Sequence, residues 1–501
     1  MASTETSTFE DMVRSAHGAS DSNLDTIRAN AKKLAETGIC NICILRLIDV
    51  PHGPVYLTQS PISTIRSSLD LPILSATSTC PLCLGILDHA HSFQVAEGYK
   101  AQTYDADDLS VSIELPKSIY VREHAMSLFA KCSLTAVNSG HRYPDIKDTA
   151  KYLISHQLVD SCSVQINNDS EMRVEVSFSH DESANEHQFL IERSGSSIRT
   201  KTFRKRGVMH TTGDSKDAVV AELGRCPDDE FIARFGNLPP AIATAAVLDS
   251  PVFKRSSIYF GGRYLKLERN ISQTPFIVEN KRVTELSVAE VIGDPLKALV
   301  RSDEYNLVGS GREDADVRML GDGRPFYVEC MNPRTKKVLQ MDVAKIEQQL
   351  VAAGSPVLVR HLQAITTNDT AIIKESSDSK TKLYCALVWF AKPLSSEKLD
   401  EINGRGKQGI VLQQKTPIRV LHRRAPLTRP KKLLALEVIP LEGCFYKVRI
   451  ESEAGTYIKE FVHGDIGRTT PSLAEMAGVA ADILELDVEN VSLDFPPTLT
   501  S

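Results

Sequence analysis

What this chain lacks first is net positive charge. Its 58 Lys and Arg stand against 64 Asp and Glu, a formal −6 at neutral pH, so it is not a protein that is basic all over. Nucleic acid stays possible, because the charge that meets a phosphate backbone is a local patch and not a whole-chain sum. A secretory signal is also missing: the first residues, MASTETSTFEDMVRSAHGASDSN, hold no apolar core flanked by basic residues. Ser, Thr and acid dominate there, and residues 1–23 are expected to be a disordered lead-in. No apolar run approaches membrane-spanning length; the stretch Ala241–Leu248 is short and bounded by prolines and Asp249. Nucleotide-binding turns are absent too, since GSGRED and GDGRPF both lack the third glycine of a GxGxxG turn and no P-loop occurs. These absences predict an intracellular, soluble protein with no membrane partner and no nucleotide cofactor.

What is present fills roughly three domains at 501 residues. Ten cysteines in a reducing compartment point to metal ligands or core positions before disulfides. Four of them form two CxxC pairs, Cys40 with Cys43 and Cys80 with Cys83, each offering two sulfurs to one tetrahedral ion. With every coordination slot taken by protein, a zinc held there would be structural; two pairs of buried thiols are the plainer alternative. His89 and His91 read as ordinary surface residues. Residues 24–95 are expected to form this zinc-binding module, opened by a helix over Leu24–Leu34.

From 96 to 255 the pattern is α+β. Strand-like Val111–Leu115, Val174–Phe178 and Phe189–Ile191 alternate with helical Tyr120–Cys132 and Lys216–Leu223. One basic cluster, Arg199, Lys201, Arg204, Lys205 and Arg206 around Phe203, suits a phosphate backbone or a solvated strand face equally.

The densest chemistry lies in Leu307–Arg324, LVGSGREDADVRMLGDGR. Gly309 and Gly311 permit a tight bend, and alternating Asp314, Asp316 and Arg318 predict a strand with its charges on one face. A carboxylate beside a cation stays ionised and oriented, as a nucleophile must; a solvated surface hairpin is the bland reading. Ser287 with Glu290, and Ser472 with Glu475, mark helix starts by the capping-box spacing. A helix is expected around Val343–Val351, and strands over Lys382–Phe390, Leu433–Ile439, Phe445–Ser452 and Ile483–Leu493. The run KTPIRVLHRRAPLTRPKK, from Lys415 to Lys432, holds seven Lys and Arg and no acid. On an acidic chain that is a local anion-binding surface, and a polyphosphate chain is its natural partner. After it, in AGTYIKEFVHGDIGRTTPS, Tyr457 and Lys459 share a face if the piece is extended.

Three pieces, in this order, resemble pseudouridine synthases. GREDADV is similar to the aspartate loop of the TruA type, KLYCA to the K-x-Y strand, and GTYIKE to the GTYIR strand of the TruB type. The longer stretches GGRYLKLERN–SQTP, GREDADVRMLGDGRPF, QKTPIRVLHRRAP and GTYIKEFVHGDIGRTTPS resemble the archaeal and eukaryotic tRNA pseudouridine-54/55 synthases, whose plan also includes paired CxxC motifs and a THUMP-containing region. The likeness is specific over about residues 256–495.

The resemblance implies an α+β protein. A C-terminal mixed sheet with flanking helices (256–501) would be the catalytic domain, behind a THUMP-like accessory RNA-binding region (96–255) and the zinc module. It implies Asp314 as the catalytic carboxylate, acting covalently or as a base. Lys459 would be its ion partner, and Tyr384 the platform that stacks on uracil and serves the C5 proton. Arg312 and Tyr457 are candidates for the pocket; Arg263, Lys266, Lys415, Arg419, Arg423 and Arg424 are candidates for the phosphate path. Two departures stand out. Lys459 replaces an arginine, offering a point charge in place of a fork. Glu313 replaces a threonine, setting a second carboxylate beside Asp314 that could raise its pKa. The expected substrate is uridine 54, 55 or both in the tRNA T-loop, bound by a monomer in the nucleus or cytoplasm, with structural zinc and no catalytic cofactor. The rivals are a non-catalytic RNA-binding protein of the same fold and a THUMP-containing tRNA methyltransferase or thiolation enzyme.

Overall fold

A computed structural model describes residues 13–14, 21–57, 79–135, 143–193, 202–205, 208–211, 215–375, 381–422 and 424–498. The expected lead-in falls mostly outside the described residues; its last three positions already belong to the helix Asp21–Glu36, which begins three residues before the expected start. The chain divides into two compact units, Met1–Lys254 and Arg255–Ser501. No helix of the described residues is long and apolar enough to cross a membrane.

In the first unit the strands Asp108–Glu114 and Met172–Ser179 run parallel, from Ser110 opposite Arg173 to Glu114 opposite Ser177. The second shows clean alternation, with Met172, Val174, Val176 and Phe178 buried. Helices Ser118–Ser133 and Ile146–Cys162 supply further core side chains, among them Ile119, Met126, Leu153 and Leu158. Phe189–Ile191, expected as a strand, lies in the helix Gln188–Arg193. Its three consecutive apolar residues do not alternate: Leu190 is buried, while Phe189 packs on Phe231 and Phe235. In the basic cluster, Arg204 and Lys205 lie on the strand Thr202–Lys205, while Arg199, Lys201 and Arg206 fall outside the described residues.

The second unit is built on a ten-stranded mixed sheet. Its long strand Arg318–Met331 pairs antiparallel with Ile258–Lys266 and Glu304–Gly309, and parallel with Ala481–Val491 at Arg318–Asp487 and Met319–Val488. Thr381–Phe390 follows, then Phe445–Glu453, Thr428–Pro440 and Ile410–Lys415. Alternate Tyr384, Ala386, Val388 and Phe390 face the core, as a period of two requires. Helix Val288–Val300 covers the sheet with Val288, Ile292, Leu296 and Val300, a four-residue stripe. Helix Leu473–Ala477 opens with the full capping box of Ser472 and Glu475.

Candidate active site

The loop after Glu304–Gly309 turns sharply because Gly311 takes φ +83°, a value L side chains resist. Gly309 must also be bare: a Cβ there would meet the Gln273 amide nitrogen at 2.6 Å. Asp314 and Asp316 lie in this loop, closed by the Val317 amide donating to the Asp314 carbonyl at 3.1 Å, and not on the strand their alternation suggested. Strand pairing begins only at Arg318, whose guanidinium donates to both oxygens of Asp487 at 3.0 and 2.6 Å.

Neighbouring acids take opposite directions. Glu313 is buried, accepting from Arg324 Nε at 2.7 Å and from the Tyr264 hydroxyl at 3.0 Å, with Lys266 Nζ at 3.8 Å. Gln273 Nε2 donates to the Tyr264 hydroxyl oxygen and to the Gly311 carbonyl, both at 2.9 Å, which ties this network to the turn. Asp314 is 43 % exposed. The second carboxylate that the sequence sets beside Asp314 therefore turns into the core, where Arg324 meets its charge. Removing one partner of a fully buried pair leaves the other charge uncompensated. Glu313→Gln is thus expected to cost about 3–5 kcal/mol in chemical denaturation. The exposed Asp316, similarly replaced by Asn, should cost no more than about 1 kcal/mol.

Asp314 Oδ2 accepts from Arg419 Nη1 at 3.2 Å and lies 3.4 Å from Lys459 Nζ. Each cation has a second acid: Lys459 reaches Asp316 at 2.7 Å, and Arg419 Nε reaches Glu460 at 2.7 Å. Burial raises the Asp316 pKa, but the hydrogen bond and charge of Lys459 outweigh it and hold the group below the ordinary aspartate value. Lys459 sits in the first turn of the helix Ile458–His463 with Tyr457 at its N-cap, so the two do not share a strand face. Tyr384 is buried on its strand, and burial pushes its hydroxyl up to about 12, keeping it protonated at neutral pH.

These groups meet at one open cavity of about 950 Å³. Asp314, Tyr384, Lys459, Arg312, Tyr457, Arg419 and Arg424 all line it. Arg424 Nη1 also donates to the Tyr457 hydroxyl at 3.3 Å. Lys382, Phe276, Leu486 and Val488 also line the cavity and were not singled out from sequence; Lys382 precedes Tyr384 by two on one strand, the signal that could have found it.

Arg263 and Lys266 do not line the cavity or reach the surface. Their strand, Ile258–Lys266, is covered on both faces, so alternation leaves no solvated side. Arg263 donates to the carbonyls of Asp322, Gly323, Val491, Leu493 and Phe495. Lys266 Nζ donates to the Ile271, Asp314 and Ala315 carbonyls at 2.8, 3.0 and 3.2 Å. Both hold backbone and are not placed to meet phosphates. Lys415 is exposed at a strand end away from the cavity lining, and Arg423 lies outside the described residues.

In the first unit Cys40, Cys43, Cys80 and Cys83 converge, all four sulfurs lying within 4.8 Å of one another. Cys40 and Cys83 sulfurs are 3.8 Å apart, and those of Cys43 and Cys80 are 3.9 Å apart. Tetrahedral metal–sulfur bonds of about 2.3 Å set sulfurs about 3.8 Å apart, so the cluster fits such an ion. The buried Arg46, 3.7 Å from the Cys43 sulfur and paired with Glu123, sets a guanidinium beside the cluster.

Comparison with known proteins agrees with both halves. A family model described as "Pus10, C-terminal" matches residues 259–492, and one described as "Eukaryotic Pus10, N-terminal" matches residues 80–252. A Xenopus laevis protein named tRNA pseudouridine synthase Pus10 is 36% identical over 427 residues, covering 84% of this chain and 81% of that one. The Homo sapiens protein of that name is 32% identical over 435 residues, 85% of this chain and 80% of that one. A namesake from Methanopyrus kandleri is 38% identical over 245 residues, 46% of this chain and 55% of that one. Among solved structures, a Cbf5–Nop10–Gar1 complex overlaps 45% of this chain and 47% of that one at TM-score 0.25 and 19% identity, too loose a likeness to argue from. The class these matches define is the pseudouridine synthases. Within it, the chain belongs to the Pus10 family.

Proposed function

We propose that this chain converts uridine to pseudouridine in the T-loop of tRNA, at position 54, 55 or both. The rearrangement breaks the bond from N1 to C1′, turns the base and rejoins it through C5, with no net redox change and no group donor. The observation that carries the reading is the shared grip of Arg419 and Lys459 on Asp314 Oδ2 at the wall of a cavity that also holds Tyr384. Two cations at one oxygen aim the carboxylate, so that it can act at the sugar carbon or on its proton. Tyr384 gives the detached base a flat face, and its protonated hydroxyl is a donor to uracil oxygen or a relay for the C5 proton. The target must leave its stack to reach the cavity, which costs less from a loop than from a duplex.

Arg312, Arg424 and Tyr457, on the cavity wall, are the side chains for the flanking nucleotides. Lys415 and the neighbouring basic strand residues extend the phosphate path. In our reading residues 24–95 hold a structural zinc through Cys40, Cys43, Cys80 and Cys83, and 96–255 form a THUMP-like region that docks the tRNA. The protein works as a monomer, in the nucleus or the cytoplasm.

The test is pseudouridine mapping on an unmodified tRNA transcript with the full-length chain and no added nucleotide. T-loop signal is expected; tight tRNA binding with no signal would favour a binding protein of this fold. Arg424→Ala should weaken binding across tRNA sequences. It should lower the slope of log affinity against log salt by about 0.7–0.9, the share of one phosphate contact. An unchanged slope would place Arg424 off the backbone path.

A further inference from the structure

Beyond the helix that starts with Ile458 and Lys459, the chain makes a turn unlike any expected of these residues. Gly464, Asp465, Ile466 and Gly467 have φ of +81°, +46°, +57° and +76°. A β-branched residue at positive φ is a genuine conformational outlier. Ile466 is nevertheless held there and is 91 % exposed, more than any other large apolar side chain among the described residues. A lone exposed apolar residue is ordinary. One displayed at a cost in stability is not.

The turn is fastened on every side. The Asp465 carboxylate accepts from the Ile418 amide at 3.2 Å, and the Asp465 amide donates to His463 Nδ1 at 3.0 Å. Arg468 Nη2 donates to the Thr416 carbonyl at 2.7 Å, and Thr470 pairs with Gln413 on the neighbouring strand. Ile466 is thereby fixed beside the basic segment, where Ile418 is itself 47 % exposed and is followed at once by Arg419. Arg419 touches Asp314, so the bonds of Asp465 to Ile418 and of Arg468 to Thr416 join the turn that displays Ile466 to the segment that grips the catalytic carboxylate.

An apolar tip on a rigid base, set among cations, is what separates stacked bases in nucleic acid: the cations hold the backbone while the side chain takes the place of a neighbouring base. We propose that Ile466, with Ile418 beside it, is a wedge that enters the base stack of the bound RNA next to the target uridine and keeps that base step open. Lys459 lies in the first turn of the helix Ile458–His463, and the four helical residues after it set the turn that carries Ile466 roughly 6 Å further along. The base it meets is therefore a neighbour of the target and not the target itself. The inference rests on reading the cavity as an RNA site.

The test uses the full-length protein and a tRNA transcript carrying 2-aminopurine in the T-loop, whose fluorescence rises on unstacking, so that binding and base opening are read without catalysis. With wild type the signal should rise on saturation. Ile466→Asn should lose most of that rise and weaken binding about fivefold or more, the loss of one apolar wedge between bases. Ile466→Leu should keep both. Because Asn tolerates the left-handed region, the Ile466→Asn protein should melt no lower than wild type. Activity and stability would then part ways, which a merely structural residue does not allow. A full rise with Ile466→Asn, no rise with wild type at saturation, or a melting point that falls with the signal would each overturn the proposal, and the first would leave the tip to a protein partner. Failure of the wild type to make pseudouridine would instead strike at the proposed function, and it is read in the separate mapping experiment.

Discussion

Asp314→Asn is expected to lower the single-turnover rate of pseudouridine formation by at least about 10³-fold while tRNA binding persists. The amide keeps the volume of the side chain but gives up the charge that Arg419 and Lys459 hold at Oδ2, and with it the nucleophile or base. Asp316→Asn is the matched control. It removes an equal charge two residues away in the same loop, so loop electrostatics alone would make the two variants alike. Asp316 is the closer acid to Lys459, at 2.7 Å, but it is 58 % exposed and does not line the cavity. Its loss should cost at most about tenfold, through a less firmly placed lysine. Equal rates for wild type and Asp314→Asn, with Asp316→Asn inactive, would move the chemistry to Asp316. Lys459→Met and Arg419→Met should each fall short of the Asp314→Asn effect, because each cation backs up the other at one oxygen. The double variant should lose more than the product of the single losses.

The difference between these two aspartates shows how far the sequence could be read. Motif order was enough to bring Asp314, Tyr384 and Lys459 to one place, although 145 positions separate the first from the last; the structure sets all three at one cavity. Helix and strand positions were legible where periodicity was strong, as in Thr381–Phe390, or where a cap was spelled out, as at Ser472. Local alternation misled in the aspartate loop, because two glycines and the Gln273 contacts set its path and sequence spacing does not record them. Arg263 and Lys266, read as candidates for the phosphate path, are buried on their strand instead. A basic residue on a strand reads as solvated until the sheet is known to cover both faces, and only the order of the strands says so. Glu313 is the same lesson from the other side: its partner Arg324 stands at the end of the same glycine-rich stretch, yet nothing in the spacing tells an inward acid from an outward one. Arg419 was legible as a basic residue and not as a partner of Asp314, since 105 positions separate them and no motif links the two.

Loss of the four-cysteine site should have the largest effect on stability, and it should be confined to one unit. All four cysteines lie within Met1–Lys254, and three of the four are buried with Leu82, Leu84 and Ile44 in the core of that unit. A structural tetrahedral site is worth on the order of 10–16 kcal/mol in small folds, as much as or more than the roughly 5–15 kcal/mol that holds a domain together. Cys80→Ala, or chelation of the wild type, is therefore expected to abolish the melting transition of the first unit and leave that of Arg255–Ser501 in place. Elemental analysis of the purified wild type should find one zinc per chain, and less than a tenth of that after Cys80→Ala. The plainer reading, four buried thiols with no ion, makes a different forecast: no metal by analysis, no response to chelator, and a loss of only about 1–3 kcal/mol for the single substitution. The functional consequence separates the two units as well. With the first unit unfolded, binding of whole tRNA should weaken, whereas a short T-arm hairpin, which needs only the cavity and its basic strand, should still be converted. If the hairpin reaction fails together with the first melting transition, the catalytic unit depends on its neighbour for more than docking.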